Sequence, residues 1–211
     1  MLYDQTEIEI ARLAIEPGCR LPERNHSIDG VYRRFFQKVV FKNKTFLELG
    51  PGHYEFCDLV KRLGGNAIAL ELDPAMVKLG QYRGHEVHQV NLSKERFWHD
   101  LGRQFDGVFC RGSINATWFP ERGQHEEFVH GIASLIKPGG WGWISPWNAN
   151  SANLPDAQAE ETYRTQEACF ASEGFRVLRC NRLHARRFKL STVKLPFLIF
   201  LKGIEYRHFF W

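Results

Sequence analysis

The chain has 211 residues, of which 44% are hydrophobic, and this is enough for a single domain with its own core. Five scattered cysteines without a Cys-x-x-Cys pair argue against a disulfide framework and a zinc site, and they favour a reducing, cytoplasmic compartment. The apolar run at residues 195–201 is much shorter than the ~20 residues that cross a bilayer. We therefore expect no membrane span, and the acidic first residues predict no secretory signal.

Positive charge is concentrated near the C-terminus. The formal net charge is +4, and residues 176–211 contain nine Lys or Arg residues and one acid. Because these charges alternate with apolar residues, they fit the solvated side of the last strands. A surface for an anionic substrate or for nucleic acid is the alternative.

The first 44 residues predict one helix without a glycine-rich loop. Ser27 or Asp29 can cap this helix, and apolar side chains recur along one of its faces up to Val39. Tyr32 and the basic pair Arg33–Arg34 lie in the same segment. Tyr32 can pack in the core while the two arginines lie on a solvated face. Alternatively, these side chains contact a ligand.

From residue 45 onward, apolar runs of strand length alternate with helical patterns. Strands are predicted at residues 45–49, 67–70, 86–90, 105–110, 141–145, 175–183 and 193–201. Helices are predicted at residues 54–63, 74–82, 94–101, 124–136 and 157–172. This alternation predicts an α/β fold in which helices cover both faces of a parallel sheet.

The turn after the first strand, Gly50-Pro51-Gly52-His53-Tyr54, is called the glycine loop below. Glycines can adopt backbone angles closed to other residues, and without Cβ atoms they let a ligand lie against the main chain. The free N–H groups at the start of the next helix would point at that ligand. Gly-x-Gly also occurs in plain turns, so this turn alone indicates nucleotide binding only weakly.

An acid at the end of the second predicted strand strengthens this indication. Glu71 follows the glycine loop by about twenty residues, which is the spacing at which a carboxylate binds a ribose. One carboxylate can accept hydrogen bonds from both ribose hydroxyls. The sequence thus predicts a ligand that contains a nucleoside.

Three blocks together resemble the class I methyltransferases that use S-adenosylmethionine. They are Glu48-Leu49-Gly50-Pro51-Gly52, Glu71, and Leu135-Ile136-Lys137-Pro138-Gly139-Gly140, and the resemblance extends from about Phe46 to Trp147. It implies a Rossmann-like, doubly wound sheet of seven strands, mostly parallel, with one antiparallel strand near the C-terminus. It also implies that residues 1–44 form a helical segment closing over the cofactor and substrate, and that residues 45–211 form the S-adenosylmethionine-binding domain.

The resemblance implies a set of cofactor-binding positions, with backbone contacts at the glycines, Leu92 and Cys110. Glu48 would lie near the cofactor's amino group, Glu71 would hold the ribose, and Leu72 would lie against adenine. The implied residues are Glu48, Gly50, Pro51, Gly52, Glu71, Leu72, Asn91, Leu92 and Cys110.

Two positions depart from the family pattern. Tyr54 replaces the usual third glycine, and its ring must either point away from the cofactor or fill part of the site; we predict that it points away. Asn91 replaces the usual acid after the third strand, and its amide oxygen could still accept a hydrogen bond from the adenine amino group.

Methyl transfer from a sulfonium depends mainly on alignment of donor and acceptor, so a dedicated catalytic residue is optional. His53 is the candidate base, and a solvent-exposed loop histidine is the alternative. Cys110 as a nucleophile is a weaker hypothesis, because buried cysteines are common. The candidate substrate-lining residues are Tyr32, Trp118, Phe119 and Trp147, for which core or lid packing is the alternative.

The favoured hypothesis is methyl transfer to a small-molecule acceptor. A nicotinamide-dependent oxidoreductase is opposed by Glu48 inside the first strand and by Glu55 in place of the last glycine of the dinucleotide pattern. A non-catalytic descendant of the fold is compatible with Tyr54 and Asn91. A nucleic-acid methyltransferase ranks lower, because an added RNA-binding module and an Asn/Asp-Pro-Pro-Tyr/Phe signature are missing from the sequence.

Overall fold

The computed structural model describes residues 3–15, 21, 28–29, 32–94, 96–111, 113, 122–145, 156–180 and 197–201. Five α-helices lie in these ranges: α1 (Gln5–Arg12), α2 (Glu55–Arg62), α3 (Pro74–Tyr82), α4 (Arg122–Ser134) and α5 (Asp156–Ser172). Seven strands form one sheet: β1 (Thr45–Leu49), β2 (Asn66–Glu71), β3 (Glu86–Gln89), β4 (Phe105–Arg111), β5 (Ile136–Ser145), β6 (Arg176–Cys180) and β7 (Phe197–Leu201).

The strands are ordered β3-β2-β1-β4-β5-β7-β6. Neighbours from β3 to β5 run parallel, whereas β7 is antiparallel to both β5 and β6. The predicted doubly wound sheet with one antiparallel strand is confirmed. The strand order reverses between β1 and β4, and in open α/β sheets ligands bind at the carboxyl ends of the strands on either side of such a reversal.

Side chains alternate between the two faces of the sheet. Leu47 and Leu49 belong to a buried cluster with the apolar sides of α4 and α5. Phe46 lies on the opposite face, in a cluster that includes Phe56 of α2. Glu48 therefore also points toward α2, and this direction decides what its carboxylate contacts.

An aromatic cluster fills the α2 side of the sheet. The Phe109 ring stacks between Phe56, at a centroid distance of 4.3 Å, and Trp143, at 4.8 Å. Gly107 allows the Trp141 ring to lie against β4, because a Cβ atom at position 107 would be only 2.5 Å from that ring. The cluster thus buries the α2 side of β1, β4 and β5.

The predicted helix at residues 94–101 is wrong: the described residues there form turns. Asn91 Oδ1 accepts hydrogen bonds from the N–H and hydroxyl groups of Ser93 at 3.1 and 2.7 Å, and the Lys94 N–H bonds to the Asn91 carbonyl. Such local bonds offer the backbone an alternative to the helical pattern.

The N-terminal segment also differs from the prediction. Its described part contains α1, which the sequence analysis did not predict, and a π-helix at Tyr32–Phe36 within the expected helix. α1 has a capping box in which Asp4 and Glu7 satisfy each other's backbone N–H groups. β5 begins at Ile136, earlier than expected, because Ile136 already pairs with Phe105 of β4, and an irregularity in the pairing separates this residue from Trp141.

Candidate cofactor site

The glycine loop connects β1 to α2 with three residues at positive φ. These are Gly50 at 60°, Gly52 at 54° and Tyr54 at 59°. Ser113 Oγ donates to the Gly50 carbonyl at 2.6 Å, and a Cβ at position 50 would lie 2.2 Å from the Ser113 side chain. Position 50 therefore requires glycine both for its backbone angle and for the contact with the residues after β4.

Glu71 ends β2 beside this loop, with only 4% of its surface exposed. Its carboxylate accepts hydrogen bonds from the backbone N–H groups of Leu72 at 2.7 Å, Asp73 at 3.0 Å and Gly52 at 3.3 Å. Burial raises the pKa of Glu71, and these hydrogen bonds oppose that shift. The structure thus brings the predicted loop and the predicted acid together.

Glu48 is also buried, and its carboxylate lies at the N-terminus of α2. Glu48 Oε2 accepts the N–H of Cys57 at 3.0 Å. Burial raises the pKa of Glu48 to about 8, although the hydrogen bonds from Cys57 lower it. The same carboxylate therefore binds one of the free N–H groups of the helix, a contact that the sequence analysis did not predict.

Leu72 follows Glu71 and is an apolar side chain in an exposed position, 45% accessible. Its carbonyl accepts a hydrogen bond from Gln89 at 3.3 Å. An exposed aliphatic side chain beside a buried carboxylate suits a ligand with a flat apolar face and polar hydroxyls.

The predicted cofactor-binding side chains after β3 and in β4 bond locally or are buried in the core. The Asn91 carboxamide oxygen binds Ser93, as described above, while Leu92 is 9% exposed and belongs to the core. Cys110 is fully buried in the same core. Any contact of Leu92 or Cys110 with a ligand in the loop crevice would therefore involve backbone atoms.

Tyr54 turns its ring away from the loop surface and into the core. The ring is fully buried, its hydroxyl donates to the Met76 carbonyl at 2.7 Å, and it stacks on His85 at 5.6 Å. The N–H groups of Gly52 and Tyr54 bond to the Glu71 carboxylate and to the Pro51 carbonyl. The ring thus takes the direction that the sequence analysis predicted.

The structure says less about the residues predicted for catalysis and for the substrate pocket. His53 is partly buried, and its backbone carbonyl accepts from Arg83; its role as a base stays a prediction. The Tyr32 ring packs edge-on against Phe41 at 6.2 Å, which is the packing alternative. Trp118, Phe119 and Trp147 lie outside the described residues.

Arg83, at the end of α3, is a site residue that the sequence analysis missed. Its guanidinium reaches the glycine loop, α1 and α2. No local motif surrounds Arg83 in the sequence, and its partners come together only when α1, α2 and the glycine loop pack around the end of α3.

A cavity of about 550 Å³ lies beside β3 and the turns that follow it. Among the described residues that line this cavity, none belongs to the glycine loop. Its lining residues are Leu70, His88, Gln89, Val90, Phe97, Asp100, Leu101, Gly102 and Arg103. Neither Glu71 nor Leu72 is among these lining residues.

The fold and the glycine loop are typical of the class I methyltransferases, which use S-adenosylmethionine. A family model described as a methyltransferase domain matches residues 23–187, and the chain belongs to this family. The chain is also similar to the ubiquinone biosynthesis O-methyltransferase of Hydrogenovibrio crunogenus, with 25% identity over 119 residues. This match covers 54% of the chain and 46% of the relative, so the chain matches less than half of that protein's length.

Solved structures agree with this fold. The chain is similar to S-adenosylmethionine-bound CalS10, an amino pentose methyltransferase from Micromonospora echinaspora, with a TM-score of 0.59, 16% identity, and coverage of 96% of the chain and 99% of CalS10. A methyltransferase from Archaeoglobus fulgidus gives a TM-score of 0.58 and 17% identity, with 83% and 93% of the two chains covered. Among the described residues, no helix is both long and apolar enough to cross a membrane.

Proposed function

We propose that this enzyme transfers the methyl group of S-adenosylmethionine to a small-molecule acceptor, with the cofactor bound at the glycine loop. The observation that carries the proposal is the convergence of the Gly52 N–H and the Glu71 carboxylate at 3.3 Å. This contact joins the carboxyl ends of β1 and β2, next to the point where the strand order reverses between β1 and β4.

The residues at this position fit the cofactor. Gly50 and Gly52 provide backbone without side chains, Glu71 would accept hydrogen bonds from the ribose hydroxyls, and the exposed Leu72 would lie against adenine. Glu48 would lie near the amino group. When bound, S-adenosylmethionine supplies a methyl group on a sulfonium that is an excellent leaving group.

The contribution of the protein is mainly alignment. A rigid loop on β1 and a buried carboxylate on β2 hold the donor in one orientation, and such positioning can contribute ~7–11 kcal/mol to catalysis. Asn91 would contribute through its amide oxygen only if its bonds to Ser93 were exchanged. His53 is the candidate base for acceptors that must lose a proton.

A small-molecule acceptor is supported by the similarity to a ubiquinone biosynthesis O-methyltransferase. The basic residues between 176 and 211 fit an anionic acceptor, and nucleic acid is the alternative. We also propose a cytoplasmic location, from the five scattered cysteines.

Titration calorimetry with S-adenosylmethionine, S-adenosylhomocysteine and NAD tests the cofactor, and binding of the first two only is expected. The transfer of labelled methyl groups is then measured for phenols, amines, carboxylates, RNA and DNA. Labelling of one class of small molecules supports the proposal. Tight binding of NAD alone, or labelling confined to nucleic acid, contradicts it.

The placement of the cofactor predicts that Glu71→Ala weakens S-adenosylhomocysteine binding. The lost charge-assisted hydrogen bonds correspond to ~1.5–3 kcal/mol, or at least about tenfold in the dissociation constant. Glu86→Ala is the control, because Glu86 is an exposed acid on the neighbouring strand β3. Unchanged affinity in a folded Glu71→Ala protein would contradict the placement.

A further inference from the structure

Arg83 contacts three elements around the glycine loop. Its side chain is 7% exposed, and Nη1 donates to the backbone carbonyl of His53 at 2.6 Å. Nε pairs with Glu7 of α1 at 2.5 Å, and Nη1 also lies 3.3 Å from Asp58 of α2. One guanidinium therefore connects the loop, α1 and α2.

The surroundings of Arg83 are built for a buried cation. Its guanidinium lies over the Tyr3 ring at 5.3 Å from the centroid, and two carboxylates balance its charge. Asp58 is itself held by His85, whose Nε2 is 2.8 Å from Asp58 Oδ1. Arginine is the residue suited to this place, because it has several donors in one fixed plane and keeps its charge when buried.

The contact with His53 fixes the part of the loop that a ligand would use. A peptide group is planar, so holding the His53 carbonyl also fixes the direction of the Tyr54 N–H, which bonds to the Pro51 carbonyl at 3.1 Å. Before this peptide in the chain, the Gly52 N–H contacts Glu71. After it, the Tyr54 ring is buried in the core. Arg83 completes the support of the loop.

α1 lies outside residues 23–187, which the family model matches. It nevertheless supplies Glu7 to Arg83, and the chain just after it is anchored to the α3 cap: the Ile15 N–H bonds to Asp73 Oδ2 at 2.5 Å. These contacts tie α1 and the chain after it to α3. The contact between Glu7 and Arg83 extends to the glycine loop, because Arg83 also binds the His53 carbonyl.

We propose that Arg83 is a positioning residue of the cofactor site. Through the His53 carbonyl it holds the glycine loop in the conformation that binds S-adenosylmethionine, and α1 holds Arg83 in place through Glu7. This inference rests on the proposed binding of the cofactor at the loop.

The first test compares S-adenosylhomocysteine binding by full-length wild type, Arg83→Met and Arg83→Lys. Arg83→Met is expected to weaken binding about tenfold, because a charged hydrogen bond to the loop is lost. Arg83→Lys keeps the charge but has a single nitrogen, so it recovers part of the affinity. Recovery by lysine separates positioning from a loss of packing volume.

A matched pair on α1 tests the role of Glu7. Glu7→Gln removes the charge facing Arg83 while leaving an oxygen that can accept the Asp4 N–H, and it is expected to weaken binding about threefold. Glu9→Gln makes the same chemical change at an exposed position of the same helix, where Glu9 Oε1 accepts a hydrogen bond from the Gln5 side chain at 3.0 Å. It should bind like wild type.

A stability control excludes general loosening. Asp106→Asn weakens a cluster formed with Lys44, Lys137 and the Thr45 N–H at the amino ends of the central strands, far from the loop. It is expected to lower the thermal midpoint without changing S-adenosylhomocysteine affinity. Hydrogen exchange gives the local readout: in ligand-free Arg83→Met the amides of Gly52 and Tyr54 should exchange faster, while those of β1 and β4 keep their protection.

A folded Arg83→Met protein with wild-type affinity would overturn the inference. The inference would also be overturned if Asp106→Asn, at the same shift in thermal midpoint, lost as much S-adenosylhomocysteine affinity as Arg83→Met. If Glu71→Ala weakens binding but Arg83→Met does not, only the role of Arg83 fails. If neither substitution weakens binding, the placement of the cofactor at the glycine loop fails as well.

Discussion

Tyr54 adopts the left-handed backbone of the glycine that the family pattern places there. Its φ of 59° is costly for a residue with a side chain, by ~1–2 kcal/mol. The buried ring and its hydrogen bond to Met76 offset this cost. A tyrosine can therefore occupy a glycine position in the loop without occupying the ligand's side of it.

This arrangement predicts that Tyr54→Gly lowers stability and leaves cofactor affinity nearly unchanged. Loss of a fully buried ring costs about 3–5 kcal/mol, which exceeds the backbone strain that is relieved. Thermal unfolding and S-adenosylhomocysteine titration measure the two effects together. A gain of about tenfold in affinity would mean that the ring obstructs the site.

The buried Glu48 predicts an unusual dependence of stability on pH. Its pKa is raised from 4.5 to about 8 in the folded chain, so the folded state binds a proton that the unfolded state has released. Its favourable contribution is complete below pH 4.5 and is lost as the pH rises to about 8. The loss is on the order of a few kcal/mol.

Glu48→Gln isolates this effect, because the amide oxygen can still accept the Cys57 N–H but does not titrate. Urea unfolding between pH 5 and pH 9 should show a smaller decline in the free energy of unfolding for the variant than for wild type. Parallel curves for the two proteins would contradict the raised pKa.

Asp73 joins α3 to the chain that follows α1 through its two carboxylate oxygens. Oδ1 accepts the Ala75 N–H and caps α3, and Oδ2 accepts the Ile15 N–H after α1. Asp73→Asn can keep one of these bonds, whereas Asp73→Ala keeps neither.

We therefore expect a graded loss of stability, with Asp73→Ala losing about 1–2 kcal/mol more than Asp73→Asn. Urea unfolding monitored by circular dichroism measures the difference. Equal losses for the two variants would mean that only the Ile15 contact matters.

Much of the element pattern was predictable from the sequence, because apolar periodicity and clear boundary signals agree in the middle of the chain. The helix predicted at residues 74–82 matches α3, in which Asp73 is the N-cap and Pro74 the first residue, two common helix-start signals. The helix predicted at residues 94–101 is not formed, because Asn91 bonds to Ser93 and stabilises turns there instead. α1 was missed, although Asp4 and Glu7 form a recognisable capping box.

The candidate site was predictable where it depends on short motifs. Gly52 and Glu71 meet as their spacing indicated. The role of Arg83 was not predictable, because it depends on how α1 packs on α3. The hydrogen bond from Ser113 to Gly50 was not predictable either, because it is a tertiary contact between the residues after β4 and the glycine loop.

Asp106 binds together the amino ends of the three central strands, β1, β4 and β5. It accepts the Thr45 N–H at 3.0 Å and pairs with Lys44 and Lys137. Burial works to raise the pKa of Asp106, but the hydrogen bonds from Thr45, Lys137 and Lys44 outweigh it, and the pKa is lowered.

A lowered pKa means that Asp106 stabilises the fold at neutral pH and that this contribution is lost as the pH falls through the folded-state pKa. Wild type should therefore lose more stability than Asp106→Asn between pH 5 and pH 2. Urea unfolding across this range checks the difference. An equal acid sensitivity of the two proteins would show that Asp106 does not contribute to it.

The position of β1 between β2 and β4 has a consequence for synthesis on the ribosome. β1 can pair with β2 early, but Phe46 must wait for Gly107, which is translated much later. Until β4 emerges, one edge of β1 keeps its backbone groups unpaired beside an uncovered aromatic surface, and such edges attract other chains. The nascent first half of the chain is consequently the form most prone to aggregate and the form that a chaperone would bind.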